Sequence, residues 1–465
     1  MTIQHPTRHA TDNARRAFLK RGALLSVAGS AAPWALNLSL LGDAAAATNP
    51  ADYKALVCVF LYGGNDYGNT LVPVDNANYA KYAAIRTGIA TSQASLAATT
   101  LAPSIALPGG LQYALAPQMS GLKTLWDANK LAVQLNVGPL VQPTTLAQYN
   151  AKSVPLPRKL FSHNDQQSTW QSDQVEGARS GWGGRMGDLM LSGNGGSVFT
   201  CISVTGNAVF LTGESAVQYQ LSSNGAVAVN GIARTLYGSA TAQAALRTVI
   251  TPTRAHLFED EYTRVTRRSI NAEAQVSSAL AALPALATPF DAANSLATQL
   301  KMVARIIAAR GSLGPSRQVF MVSLGGFDLH DNLVDNHPGL LAKVSDAMKT
   351  FYDATVELGV ANQVTAFTAS DFGRTLSSNG DGSDHGWGSH HFVVGGAVNG
   401  KRYYGTAPAV AVGGPDDVGQ GRLLPTTSVD QYGGTLATWL GVSDSFLPTV
   451  VPNIGNFSMR NLGFV

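Results

Sequence analysis

Charge is what this sequence has least of. Lysine and arginine number 32 and aspartate and glutamate 29 in 465 residues, so 13% is charged against 45% apolar, and the formal net charge is +3. No basic stripe exists that would suit nucleic acid, and that class of partner is excluded. A chain of this length and apolar content buries one large core or two medium ones. Part of the positive charge lies in residues 8–21; without that segment the chain is close to neutral or slightly acidic. Cysteine is nearly missing. Cys58 and Cys201 lack the spacing of a thiolate metal site. Both sit in apolar, strand-like runs and are expected to be buried free thiols, with a disulfide as the alternative in an oxidising compartment. Internal repeats and low-complexity segments are also lacking. Glycine is the contrast: 48 of them imply many turns and close backbone approaches.

Near the start, the apolar run from Gly22 to Leu41 is interrupted by Gly29, Pro33 and Asn37, too broken for a membrane anchor. It follows Ala14-Arg15-Arg16-Ala17-Phe18-Leu19-Lys20 and precedes Ala44 to Ala47. Paired arginines, a modest apolar centre and small residues at the end make residues 1–47 an expected twin-arginine export signal. The protein is then expected in the periplasm or secreted, with no membrane span after signal removal. That route carries folded proteins, which suits a cofactor loaded in the cytoplasm.

The stretch that organises the rest is Val364 to His391. It opens as a buried strand and breaks into a loop with Asp371, Arg374, Asp381, Asp384, His385, His390 and His391, three of the chain's nine histidines among them. Carboxylates and imidazoles gathered after a strand supply the oxygen and nitrogen donors of a divalent cation. Upstream, Val319 to His330 repeats the order of strand, glycine turn, Asp328 and His330. The two loops are expected to meet at one metal site. Lys54 to Tyr62 is a third apolar strand, ending in Gly63-Gly64-Asn65-Asp66, so Asp66 falls where open α/β sheets keep their ligands.

Other elements follow from pattern. Helices are expected near Asn78 to Ala84, Met119 to Asn129, Asp165 onward, up to Met190, Leu340 to Leu358 and Thr426 to Leu440; strands at Leu131 to Val137 and, around a turn at Thr205 to Asn207, within Val198 to Leu211. Residues of about 213–316, with helices at Thr241 to Leu246, Ala255 to Ala282 and Asn294 to Ala309, read as an inserted or lid-like helical region. Strand–helix alternation implies a doubly wound, mostly parallel α/β core.

Five motifs in order, Phe60-Leu-Tyr-Gly-Gly-Asn-Asp66, Gly325-Gly-Phe-Asp-Leu-His330, Ser370-Asp-Phe-Gly-Arg-Thr375, Asp384-His385-Gly386 and Pro425-Thr-Thr-Ser-Val-Asp-Gln-Tyr432, resemble the bacterial domain-of-unknown-function family 1501. Its members look like relatives of the alkaline phosphatase and sulfatase superfamily. The resemblance implies an alkaline phosphatase-like domain over 48–465 and a divalent metal, zinc, calcium or manganese. By position it implies Asp66, Asp328, His330, Asp371, Asp384, His385 and His391, or His390 in its place, as ligands. Phe372 stands where that superfamily often has a ligand histidine, and His385 is the expected replacement.

Several residues carry two readings. Ser162 is the candidate nucleophile, with Thr169 behind it, yet it also suits a helix N-cap. Arg374 can grip a phosphate or sulfate, or pair with a carboxylate. His163 is a base or an outer hydrogen-bond partner. Asp328 with His330 is a ligand pair, or a helix cap beside a surface histidine. The loop from Gly382 to His391 is ordered by metal, or mobile. The expected activity is metal-dependent hydrolysis of a phosphate or sulfate ester, on a small anionic ester or a surface polymer. The alternative is a non-catalytic exported protein that binds or assembles cell-surface material.

Overall fold

The computed structural model describes residues 52–465, so the export signal expected over 1–47 lies outside the described residues. The strands in order are β1 (Lys54–Leu61), β2 (Leu71–Pro73), β3 (Tyr113–Leu115), β4 (Leu131–Gly138), β5 (Cys201–Ser203), β6 (Tyr219–Ser222), β7 (Gly225–Ala226), β8 (Arg317–Leu324), β9 (Val364–Ser370), β10 (Ser389–Gly395), β11 (Arg402–Tyr404) and β12 (Thr427–Ser428). The main sheet runs β11-β4-β10-β9-β1-β8-β5-β6-β7, with β12 beside β4, while β2 and β3 pair separately. β10 is antiparallel to β4 and β9, and β7 to β6. The remaining pairings of this sheet are parallel.

β1, with the sequence KALVCVFL, is buried almost throughout, because it has a strand on either side and helices over both faces. Its residues alternate between two cores. Val57, Val59 and Leu61 pack with Leu122, Leu300 and Val344; Leu56, Cys58 and Phe60 pack with Met186, Tyr432 and Leu436. Helices Ser120–Asp127, Ser295–Ala308 and Leu333–Glu357 therefore cover one face, and Trp182–Met190 and Val429–Leu440 the other. Cys58 and Cys201 are buried free thiols.

Register positions the site. Leu61 lies opposite Leu324 on one side and Ser370 on the other. β1, β8 and β9 thus end level, and the segments that follow them leave the sheet at one carboxyl edge. Open α/β sheets place ligands there.

Four elements differ from the sequence reading. Val209–Leu211 is a 3₁₀ turn rather than a strand. The helix expected from Leu340 begins at Leu333 and runs through Pro338, which has no N–H to give the Val334 carbonyl and so leaves one gap in the helix ladder. His390 and His391 lie in β10, buried at 3% and 1% exposure, and not in a loop. The 213–316 segment is helical at Ala240–Ile250, Leu257–Ala281 and Ser295–Ala308, yet both of its ends belong to the main body. β6 extends the sheet through β5, and Ser295–Ala308 supplies Leu300 and Val303 to the larger core.

Candidate metal centre

Asp328, in the glycine turn after β8, is the hub of the cluster. Its Oδ1 lies 3.1 Å from Nε2 of His330 and 3.3 Å from Nε2 of His385. Its Oδ2 lies 3.3 Å from Nε2 of His163. The two nitrogens of His330 and His385 are 2.9 Å apart. His163, Asp328 and His385 also offer one donor atom each within 4.8 Å of one another. His163 arrives from a different part of the chain, as the first residue of the helix His163–Ser172.

Each imidazole is held by its other nitrogen. Nδ1 of His163 meets Oδ2 of Asp371 at 2.7 Å, Nδ1 of His330 meets Oδ1 of Asp384 at 3.0 Å, and Nδ1 of His385 meets the carbonyl of Phe161 at 2.8 Å. Carboxylates and carbonyls only accept, so each Nδ1 carries a proton and each ring turns its Nε2 inward toward Asp328. Phe161 adopts φ +71° to present its carbonyl, a conformation a bulky residue takes only when its surroundings demand it. Phe372 packs against the rings of His163 and His385, with centroids 4.8 and 4.7 Å away. Phe372 is thus an apolar wall that orients two imidazoles.

The outer carboxylates are themselves fixed. Asp371 is fully buried, and its Oδ2 also accepts from the backbone N–H of Gly63 at 3.1 Å and from Gln167 at 2.8 Å. Gln167 stands one turn after His163, on the same helix face. Gly63 has φ +114°, and a Cβ there would lie 2.3 Å from the backbone nitrogen of Asp328, so only glycine lets the first and second loops touch. Asp384 accepts also from Asn379 at 2.9 Å. Arg374 donates to Oδ1 of Asp328 at 2.9 Å, to the carbonyl of Gly63 at 2.9 Å and to the carbonyl of Ser383.

The electrostatics suit a cation. Burial raises the Asp328 carboxyl, but the hydrogen bond and charge of Arg374, with His163 and His330, outweigh it and hold the group below the usual carboxylate range. Asp384 is likewise depressed: burial opposes, and hydrogen bonds from Asn379 and His330 prevail. Burial lowers His385, with the Phe161 carbonyl opposing. The hydrogen bond to Asp371 raises His163.

The structure gathers Asp328, His330 and His385 as donors and places Asp371 and Asp384 behind them, holding imidazoles. Three other expectations are corrected. Asp66 is buried in an ion pair with Arg86 at 2.8 Å, and its carboxylate also accepts from Ser383 at 2.6 Å and from the backbone of Asn69 at 2.8 Å. Its oxygens are filled by these donors. His391 faces the core from β10, its ring 4.8 Å from Trp170 and 6.0 Å from Tyr432, with Nδ1 3.3 Å from the Thr368 hydroxyl. Arg374 is fully buried and committed to Asp328, so it is no free anion clamp.

Ser162 occupies the N-cap position, and its hydroxyl donates to Asp165 at 2.8 Å. Thr169 donates to the carbonyl of Asp165. Among the described residues no hydroxyl hydrogen-bonds to Asp328, His163, His330 or His385. His163 was the member of the cluster hardest to see from sequence, since its only signal is a histidine opening a helix one turn before Gln167.

A metal fits these residues. Donors about 2.0–2.1 Å from a tetrahedral ion stand about 3.3 Å apart, close to the 3.1–3.3 Å between the Asp328 oxygens and each Nε2; His163, Asp328 and His385 are the three that lie within 4.8 Å of one another. Nε2 of His163 is buried and makes no hydrogen bond. Without a cation or a shared proton, the lone pairs of His330 and His385 would face each other and a carboxylate, an arrangement that electrostatics disfavours. The outer acceptors on every Nδ1 are what ligand histidines use to fix tautomer and aim.

Among solved structures, the chain is similar to the lipoteichoic acid synthase LtaP from Listeria monocytogenes, with 8% identity, 89% of this chain and 76% of that chain covered, and a TM-score of 0.32. It is similar to the C-terminal periplasmic domain of EcEptC from Escherichia coli, with 10% identity, 88% of each chain and a TM-score of 0.31. A third is the PsFucS1 sulfatase from Pseudoalteromonas sp., with 10% identity, 88% of this chain, 73% of that chain and a TM-score of 0.33. No curated protein matches the sequence. Among the described residues no helix is long and apolar enough to cross a membrane. The model of the family "Protein of unknown function (DUF1501)" matches residues 53–433, and the chain belongs to that family.

Proposed function

We propose that this protein is an exported, metal-dependent hydrolase of a phosphate or sulfate ester, with His163, His330, His385 and Asp328 as the metal-binding residues. The observation that carries the reading is the convergence of three Nε2 atoms on one carboxylate, each ring pinned through Nδ1. Three imidazoles and one carboxylate suit zinc, or another transition ion, better than calcium, which prefers oxygen. The cluster is also open. The side chains of Asp328 and His330 are 45% exposed, and those of His163 and His385 26% and 25%. Structural metal sites are closed, whereas catalytic ones keep a position for water or substrate.

When bound, a divalent ion supplies Lewis acidity toward an ester oxygen and acidifies water. Asp371, Asp384 and the Phe161 carbonyl keep the three rings aimed. Arg374 keeps Asp328 ionised and oriented from below. With no hydroxyl bonded to the cluster, water is the nucleophile this arrangement favours over Ser162. The export reading rests on Arg15-Arg16 and the segment after it.

The commitment of Arg374 and the lack of a bonded hydroxyl favour a second reading, in which the same centre binds an anionic surface polymer without cleaving it. Metal analysis of protein exported by its native route, followed by phosphate- and sulfate-ester assays, separates the two. Stoichiometric metal with ester cleavage that is lost in His385→Ala supports hydrolysis. Stoichiometric metal with ligand retention and no cleavage supports binding alone. Protein carrying no metal under either condition would remove both.

A further inference from the structure

The helix Leu257–Ala281 carries one apolar stripe, with Phe258, Tyr262, Val265, Ala272, Val276 and Leu280 recurring at helical spacing. Its second half is in the core: Ala272, Val276 and Leu280 are 5%, 0% and 6% exposed. Its first half is not. Phe258 is 78% exposed, Tyr262 68% and Val265 38%. On the side of the helix turned to the body, Thr263 and Ile270 are buried at 6% and 5%. The helix therefore lies on the body with the first turns of its stripe facing outward. An aromatic face of this kind marks an interaction surface.

Charge order selects the occupant. Glu259, Asp260 and Glu261 come first along the helix and Arg264, Arg267 and Arg268 follow. Equal numbers of both signs give this face no preference for an anionic membrane. The order is complementary to itself when reversed. Laid antiparallel on a second copy, Tyr262 meets Val265, bulky Phe258 meets small Ser269, and Glu261 on the flank meets Arg268. A twofold axis repeats each contact. Arg268 makes no ion pair among the described residues, while Glu261 has Arg264 at 2.7 Å and oxygen lone pairs to spare.

We propose that two copies of this chain associate through the first half of the helix Leu257–Ala281, paired antiparallel about a twofold axis at Thr263 and Arg264. The pairing continues a stripe that the fold already buries at its other end, and it is independent of the metal centre. Sedimentation velocity of the exported chain over a concentration series tests it. The expected result is a reversible monomer–dimer equilibrium. Tyr262→Glu gives monomer with unchanged circular dichroism and melting, since the side chain is exposed. Glu261→Arg or Arg268→Glu alone weakens the dimer by about tenfold or more, because like charges then face each other twice. The double variant restores it. A chain monomeric at its highest soluble concentration overturns the proposal, as does a dimer indifferent to these changes. So does a Tyr262→Glu effect confined to binding of phosphatidylcholine–phosphatidylglycerol vesicles.

Discussion

Asp371 and His163 lie 208 positions apart in the chain and meet at 2.7 Å, Oδ2 to Nδ1. The contact joins the end of β9 to the first residue of a helix. It turns a buried carboxylate into the group that aims an imidazole at Asp328. Three donors crowd Oδ2 of Asp371, while its Oδ1 is buried without a partner. The carboxylate is therefore placed for orientation rather than for solvation.

Asp371→Asn lowers metal affinity by about 10–100-fold, the usual effect of removing an outer partner of a ligand histidine, and His163→Ala lowers it at least as far. Competition with a chelator of known affinity measures both, with circular dichroism to confirm folding. Wild-type affinity in both variants would take His163 out of the ligand set.

A metal bound at this centre is expected to stabilise the fold as well. A ligand at 100 times its Kd adds about 2.7 kcal/mol when it binds only the native state. Urea unfolding with zinc and with excess chelator is expected to differ by that order, and His385→Ala abolishes the difference. An equal midpoint in both conditions for the wild-type chain counts against a metal centre here.

Asp66 and Arg86 form an ion pair at 2.8 Å with side chains 1% and 0% exposed. Asp66→Asn leaves a buried guanidinium without its partner and costs about 3–5 kcal/mol. The folded fraction keeps its full metal content, because the carboxylate is filled by Arg86, Ser383 and Asn69. A variant that stays stable and loses metal would make Asp66 a ligand after all.

Acid destabilises the protein through buried histidines. Burial pushes His390 and His391 down to about 3, and His337 down to about 4. An unfolded histidine titrates near 6.5. Above that pH these groups are neutral in both states and cost nothing. As pH falls from about 6.5 toward the folded values, the unfolded chain binds more protons, and each histidine removes up to about 1.4 kcal/mol per pH unit. Nε2 of His391 is buried without a hydrogen-bond partner between aromatic neighbours. His391→Phe is expected to hold neutral-pH stability within about 1.5 kcal/mol and to flatten the acid slope by one histidine's share. Urea midpoints at pH 7, 6, 5 and 4 read this directly, and an unchanged slope would place His391 in contact with water.

Pattern made much of the core legible. Lys54 to Leu61, Arg317 to Leu324 and Val364 to Ser370 are apolar runs because both of their faces are covered, and such runs carry their own signature. The last helix is capped by Ser428, whose hydroxyl accepts from the Gln431 N–H while the Gln431 side chain accepts from the Ser428 N–H; two adjacent hydroxyl residues, Thr427 and Ser428, leave the choice of cap to the structure. β10 was less so. Two adjacent histidines after a glycine-rich loop look polar, yet one is enclosed by Tyr67 and Tyr113 and the other by Trp170 and Tyr432. Burial by distant aromatics leaves no trace in local periodicity.

Residue types and short spacings alone determined that carboxylates and imidazoles follow the ends of β8 and β9, and that an Asp follows β1. Which of them converge was decided only by tertiary structure. Parallel register brings three strand ends level, a glycine with φ +114° lets two loops touch, and the helix starting at His163 delivers a third imidazole. The same packing sends Asp66 to Arg86 and His391 into the core. Donor atoms converge through long-range contacts, and a one-dimensional pattern records the types of those atoms but not the distances between them.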